Sequence, residues 1–266
     1  MNKTYVWAFI GIVIIAALGF YTYDQYFLKN DDNRATGRLA EILNRGELVV
    51  GLDATYAPLE SLDANKDFVG LDVDIAREIA KDIGVKVTFK NVPWDNIFDS
   101  VKKGDIDFSN SSITITAERA QTLGFSDPYF NAGQVIVSTT AAASRIQKPE
   151  DLQGLRVGAQ INTTSDTQAQ KYTSLPLITR FEEYTPAVKD LLAGKIDAII
   201  IDYPAAVGIV NSNKGLSIVS PIFTQEFYGV ATQKGEQGLL LSINKTIRRL
   251  KEDGTLKTIQ DRWLGH

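Results

Sequence analysis

Between Ser111 and Phe130 the chain reads SSITITAERAQTLGFSDPYF. The β-branched run Ile113 to Thr116 predicts a strand, and it ends in a small residue followed by Glu118 and Arg119, so hydroxyls and a guanidinium converge at one strand tip. A guanidinium presents a planar fork of donors that matches two carboxylate oxygens, and hydroxyls can fill the remaining lone pairs. Ser112, Thr114 and Arg119 are therefore candidates for gripping a small carboxylate. The competing reading is a surface arginine at a helix start. A second constellation ends the apolar run Ala198 to Ile201, where Asp202 precedes Pro204. An acid at a strand tip needs a cationic partner once it is covered; an exposed one is an ordinary turn or N-cap aspartate.

The elements that would carry these groups alternate. Leu48 to Leu52 predicts a strand. Leu71, Ile75, Ile79 and Ile83, with Ala76 and Ala80, recur at helical spacing and stop at Gly84, with Asp72 and Asp74 in the first turn. Val85, Val87 and Phe89 alternate as a strand, and Trp94, Ile97, Phe98 and Val101 mark a helix ending near Gly104. Strand, helix, strand in this order implies an α/β fold with predominantly parallel pairing. A shift of ninety positions carries Trp94, Phe98, Val101, Gly104, Ile106 and Asp107 onto Tyr184, Val188, Leu191, Gly194, Ile196 and Asp197. Two helix-then-strand units thus share one plan, and the same shift carries Ser112 onto Asp202. Open α/β sheets bind ligands beyond the carboxyl ends of their strands.

Composition narrows the classes. The chain has 266 residues, 44% hydrophobic, enough for one large core or two modest ones. Twenty-eight Lys and Arg against 32 acids give a formal charge of -4, which offers no footprint for nucleic acid. There is no cysteine, and the one histidine is His266, which excludes thiolate metal sites and Ser-His or Cys-His catalysis. No cofactor or metal is expected. Tyr5 to Phe20 carries no charge, with Lys3 before it and Tyr21, Tyr23, Tyr26 and Phe27 after it. The stretch approaches the length of a membrane span with an interfacial aromatic belt, and Ala17-Leu18-Gly19 also fits signal cleavage. Residues 1–27 are thus read as a retained membrane anchor ahead of a cleaved signal peptide, with the remaining chain outside the cytoplasm, and 28–45 as a tether with a short helical pattern.

Six segments in order carry a family resemblance: GLDATYAP at 51–58, GLDVDIAREIA at 70–80, PWDNIFDSVKKGDID at 93–107, SITITAERAQTLGFSDPYF at 112–130, VGAQINTTSD at 157–166 and IDAIIIDYPAA at 196–206. From about Gly46 onward the chain resembles the periplasmic polar amino-acid-binding proteins of ABC importers, solute-binding protein family 3, with the two-lobed type II periplasmic-binding-protein fold. The resemblance implies a first lobe of residues 46–130 plus 229–266, a second lobe of 131–228, hinge crossings near Phe130 to Gln134 and Phe223 to Gly229, and an interlobe ligand cleft.

It also implies roles. Arg119, with Ser112 and Thr114, would hold the α-carboxylate of a free amino acid, a Thr163 hydroxyl or backbone amide would add donors from the second lobe, and Asp202 would pair with the α-ammonium. Tyr56 and Trp94 are the candidate aromatic walls, although the spacing of Trp94 with Phe98 and Val101 fits a core residue equally. Asp53 matches a position where related proteins bind polar or cationic side chains. Ser111, Asp72 and Glu60 are further polar candidates for that end; Asp72 also reads as a helix-start acid and Glu60 as a solvated one. Gln160 and Asn162 could pair with a ligand amide. Asn162 stands where the family commonly has glycine, and asparagine tolerates the left-handed backbone. Arginine or lysine is the favoured ligand through charge and cation-π contact, with glutamine as the rival. Capture by hinge closure and delivery to an ABC permease come first, a membrane-tethered sensor second. A cyclohexadienyl dehydratase using Asp202 or Glu60 as general acid comes third.

Overall fold

A computed structural model describes residues 37–265. The expected anchor, and the part of the expected tether before residue 37, lie outside the described residues. Helix α1 (Arg38–Arg45) precedes strand β1 (Glu47–Leu52). A small antiparallel sheet of β2 (Thr55–Tyr56), β3 (Glu60–Leu62) and β4 (Phe68–Val69) leads into α2 (Leu71–Ile83), β5 (Lys86–Asn91), α3 (Trp94–Lys103) and β6 (Phe108–Ser109). The single turn α4 (Arg119–Thr122) and β7 (Leu123–Phe125) follow. After β8 (Phe130–Asn131) come β9 (Gln134–Thr139), β10 (Val157–Gln160), α5 (Thr164–Tyr172), β11 (Ile178–Phe181), α6 (Tyr184–Leu192), β12 (Ala198–Asp202), α7 (Tyr203–Ser212) and β13 (Leu216–Ile218). The chain closes with β14 (Phe227–Tyr228), β15 (Ala231–Gln233), α8 (Gln237–Glu252) and α9 (Thr255–Leu264).

Two five-stranded sheets result, in the orders β5-β1-β6-β15-β7 and β11-β10-β12-β9-β13. In each, a central strand pairs parallel with two neighbours: β1 with β5 and β6, β10 with β11 and β12. The ninety-residue echo is this shared unit, since β6 shifted by ninety falls on β12. The expected parallel predominance does not hold, because the remaining two pairings of each sheet are antiparallel. The reason is connectivity. Strands β9 and β15 enter their sheets directly from the segments that cross between them, and so run against the strands built by strand-helix-strand units. The crossing segments themselves pair as the ribbon of β8 and β14. Tyr228 in this ribbon is fully buried, its ring stacked on Phe130 at 5.9 Å.

Apolar side chains cover both faces of each sheet. One cluster runs from Leu48, Ile75 and Leu239 through Tyr228 to Val135, Leu191 and Ile199, and so joins the lobes. A second, around Ile136, Leu152, Val157 and Ile200, backs the second sheet, and a third, around Trp94, Ile97, Val101 and Ile113, backs the first. Helix α2 buries Leu71, Ile75, Ala76, Ile79 and Ala80, and Gly84, at φ 83°, turns the chain out while its N–H caps the Ala80 and Lys81 carbonyls. Residues 38–45 depart from the expected tether. Their helical pattern forms α1, which buries Leu39 and Ile42 in the joined core, and Gly46 at φ 69° closes it. Ile42→Ala should therefore lower the unfolding free energy by about 2 to 4 kcal/mol, read from urea denaturation, whereas a residue in a flexible tether would leave the midpoint unmoved.

Candidate functional site

The loop after β6 and the start of α4 place Arg119 at the edge of a cavity between the sheets. Its guanidinium stands over the rings of Trp94 at 5.3 Å and Phe98 at 5.0 Å, and Nη1 donates to the Thr114 carbonyl at 2.9 Å. Thr116 Oγ1 accepts the Arg119 backbone N–H at 3.1 Å. These contacts fix the fork without neutralising it: among the described residues no carboxylate forms an ion pair with Arg119. Burial lowers its pKa, and the fields of Glu226, Asp202 and Glu118 pull it back up. A partly buried cation without a counter-ion among the described residues calls for an anionic ligand.

Asp202 lies across the same cavity, 7% exposed. It occupies the N-cap position of α7 yet makes no capping hydrogen bond. Instead Oδ2 accepts from the Tyr228 hydroxyl, and Oδ1 is buried without a hydrogen-bond partner among the described residues. Burial, reinforced by the charge of Glu226, pushes its pKa up to about 7. The turn-aspartate reading therefore fails at this position. A positive group entering the cavity would restore the ionised form.

Helix α5 points its N-terminus at the cavity, with Thr163, Thr164 and Ser165 on the wall. The Thr163 hydroxyl is already committed: it donates to the Gln160 carbonyl at 2.6 Å and accepts from the Asp166 N–H at 3.2 Å as the helix cap. What the second lobe can offer an anion is thus the helix-start dipole and amides. The expected donor roles of Ser112 and Thr114 are corrected in the same way. Both line the cavity, but Ser112 Oγ donates toward Glu60 and Asp72 and Thr114 Oγ1 donates to Glu226 at 2.8 Å. Both hydroxyls are thus directed at buried acids of the protein and turned away from a ligand carboxylate.

The far wall is aromatic and acidic. Tyr56 packs its ring 5.7 Å from that of Tyr184, and Trp94 lines the cavity while packing edge-on to Phe98 at 5.1 Å, so both readings of Trp94 hold at once. Asp53 accepts from the Trp94 N–H at 3.1 Å and the Thr55 hydroxyl at 2.8 Å, and burial raises its pKa. Ser111 accepts the Asp53 N–H and donates to Glu60, both at 2.9 Å. Glu60 is 1% exposed, not solvated. Gln160 lines the wall with its amide N–H given to the Glu182 carbonyl at 2.8 Å.

Two expected site residues stand outside the cavity. Asp72 is fully buried behind Ser112, accepting its N–H at 2.5 Å, because the loop 110–112 crosses the first turn of α2. Asn162 adopts the left-handed backbone, φ 58°, that its replacement of glycine suggested, but its side chain donates to Asp95 at 3.0 Å and its carbonyl accepts the Trp94 indole N–H at 3.2 Å. It ties the lobes together beside the cavity and does not line it.

Sequence reasoning missed four residues. Thr164 and Ser165 adjoin the Thr163 motif, and Tyr184 was marked by the echo that carried Trp94 onto it. Glu226 had no signal beyond its place in a crossing segment. It is buried and accepts from Thr114 of the first lobe at 2.8 Å and Thr164 of the second at 2.7 Å, so one carboxylate spans the closure.

Two α/β lobes joined by a paired crossing, with an unpaired cation and an unpaired acid facing one cavity, define a cleft-type ligand-binding protein. The chain belongs to the bacterial extracellular solute-binding proteins, family 3, whose pattern matches residues 48–266. It is 34% identical over 211 residues to a probable histidine-binding protein of Neisseria gonorrhoeae, covering 77% of this chain and 78% of that one. The P235GK mutant of the arginine-binding protein ArgBP from T. maritima is similar in structure, with TM-score 0.82, 38% identity and coverage of 86% and 100%. The ancestral amino acid-binding protein AncCDT-1, described as a precursor of cyclohexadienyl dehydratase, has TM-score 0.81, 36% identity and the same coverage.

The raised pKa of Asp202 has a consequence for stability. An acid that holds its proton up to about 7 when folded but only to 3.8 when unfolded makes the native state bind more protons between those values. Stability of the ligand-free chain therefore falls as pH rises through this window, and Asp72, raised to about 6, adds to the fall. Thermal melts at pH values across the window should show Tm decreasing with pH, and Asp202→Asn should flatten the upper part of the slope. A Tm that rises through the window would contradict the assignment.

Proposed function

We propose that the chain is an extracytoplasmic binding protein that captures a free cationic amino acid, arginine before lysine, and presents it to an ABC permease by closure of its lobes. The observation that carries this reading is the pair Arg119 and Asp202, which face one cavity without ionic partners among the described residues. An α-carboxylate meets Arg119 and the start of α5; an α-ammonium meets Asp202 Oδ1. Neither group is satisfied by a lone ion, because the cavity presents both signs at a fixed separation. The side chain then runs toward Asp53, Glu60, Tyr56 and Trp94, where acids and aromatic faces favour a cation. The similarity to an arginine-binding protein supports the same choice.

Closure follows from which lobe each group belongs to. The ligand carboxylate touches both, and the bonds of Glu226 to Thr114 and Thr164 and of Asn162 to Trp94 and Asp95 form only when the lobes meet. A ligand that adds contacts only to the closed form shifts the population toward it, and a permease can read that shape. An anchored or signal-bearing N-terminus would keep the domain outside the cytoplasm.

One observation favours a second reading. Glu60 holds its proton well above the usual carboxylate range, so the cleft contains a candidate general acid, as a dehydratase requires. The zwitterion grip favours binding over elimination.

Calorimetry against all amino acids, prephenate and arogenate separates these readings. Arginine should bind tightest and be recovered chemically intact. Arg119→Ala and Asp202→Ala should each cost about 3 to 5 kcal/mol of binding with less effect on folding. Asp53→Asn should weaken arginine and lysine more than glutamine. Glutamine binding tighter than arginine in the wild type would remove the cationic preference; unaltered affinity in the Arg119 and Asp202 variants would remove the site.

A further inference from the structure

At the side-chain end of the cavity two acids share one hydroxyl. Glu60 and Asp72 are 1% and 0% exposed, and Ser112 Oγ lies 3.2 Å from Glu60 Oε2 and 3.0 Å from Asp72 Oδ2. That hydroxyl has a single proton to donate and so cannot serve both groups as carboxylates; one of the two must bring a proton of its own. Protein donors do not fill the set. Ser111 Oγ serves Glu60 Oε1 at 2.9 Å and the Ser112 N–H serves Asp72 Oδ2 at 2.5 Å, while Asp72 Oδ1 is buried without a hydrogen-bond partner among the described residues.

No cation among the described residues offsets the pair. The titratable groups that face it are Asp53 at the end of the β1 segment, Tyr56 on β2 and the Tyr129 phenol ahead of β8, and none brings positive charge. Two carboxylates cannot both ionise in such a place, so the protons leave in separate steps belonging to the pair. Burial pushes both upward, Asp72 to about 6 and Glu60 well above the usual carboxylate range. Glu60 lines the cavity, and Asp72 stands behind it.

We propose that Glu60 and Asp72 hold one proton between them while the cavity is empty and that a cationic ligand side chain displaces it to solvent. The site would thus exchange a proton for a guanidinium or ammonium and take a neutral side chain without exchange. This rests on the cavity being the amino-acid site argued above. The charge balances: one positive charge enters the pair's field, one proton leaves to bulk buffer, and no other bond changes. The exchange discriminates by pH as well as by shape. At low pH the cation must compete with the proton, and at higher pH that competition fades.

The test compares arginine with citrulline, its uncharged isostere, on the purified full-length chain by calorimetry in buffers of different ionisation enthalpy at about pH 6. Any proton leaving Asp202 leaves with both ligands and cancels in the difference. Arginine should release about one proton more than citrulline, and its affinity should rise up to about tenfold more per pH unit. Glu60→Gln should abolish the extra release, and Asp72→Asn provides a second variant should the first fold poorly. If citrulline binds too weakly to measure, glutamine replaces it; if that also fails, the loss of about one released proton between wild type and Glu60→Gln with arginine decides. Equal proton counts for arginine and the neutral ligand in the wild type, with arginine bound tightly, overturn the exchange and leave the amino-acid reading standing. Absence of binding by arginine and every other amino acid overturns that reading and the exchange with it.

Discussion

A partly buried guanidinium and a buried carboxylate are held in one cavity without being allowed to meet. A direct Arg119–Asp202 pair would satisfy both charges and leave no place for a ligand; the fold prevents it by tethering each elsewhere. Arg119 is fixed by the Thr114 carbonyl and two aromatic faces, which orient a cation without cancelling it. Asp202 is fixed by a neutral phenol from the crossing ribbon. Each charge is thus supported by groups too weak to repay its loss of hydration in full, and the deficit is what a zwitterion can recover.

The lobes transmit that deficit to the shape of the protein. The polar contacts between them are few, and Glu226 adds a second negative charge near Asp202 in the closed form. The empty cleft therefore holds two neighbouring acids of the second lobe in a region of low dielectric. An α-ammonium placed between them reverses the sign of that interaction. In the proposed closure, a small molecule that adds contacts to both lobes would bias the domain motion through those differential contacts.

Much of this was legible in the sequence. Helical spacing gave α2 and α3 with their glycine ends, and the ninety-residue echo marked the unit repeated in the two sheets. What periodicity cannot report is which strands run backward, since β9 and β15 look like any apolar strand until the crossings are drawn. Among site residues, identity was more legible than bonding. Ser112, Thr114 and Thr163 line the cavity, yet their hydroxyl protons go to Asp72 and Glu60, Glu226 and the Gln160 carbonyl, partners remote in sequence or supplied by the backbone. Asp72 and Asn162 stood in matching segments but were carried out of the cavity by the packing of neighbouring loops. The N-cap position of Asp202 was a fair local reading; only the Tyr228 hydroxyl, from the ribbon, shows where its carboxylate is held.

The donor and acceptor inventory of the closed cavity then limits what can occupy it. At one end stand donors, the free edge of Arg119 and the start of α5. Everywhere else the strong groups are acceptors: Asp202, Asp53 and Glu60, with serine hydroxyls already turned toward acids. A dicarboxylic amino acid would face acids with its second carboxylate and find the hydroxyls spent. An aliphatic one would leave Asp53 and Glu60 desolvated with nothing in return. An amide offers two donors, and its carbonyl can accept the hydrogen that Glu60 holds in the empty cavity, so an amide side chain is the rival that enters without displacing a proton. A guanidinium or ammonium has donors alone, which matches a wall of acceptors, and the aromatic faces of Tyr56 and Trp94 can bind the same charge from the side. The proposed cationic ligand thus rests on how hydrogen bonds are allocated within the protein, since the buried acids claim the serine hydroxyls and leave a largely acidic wall at the side-chain end.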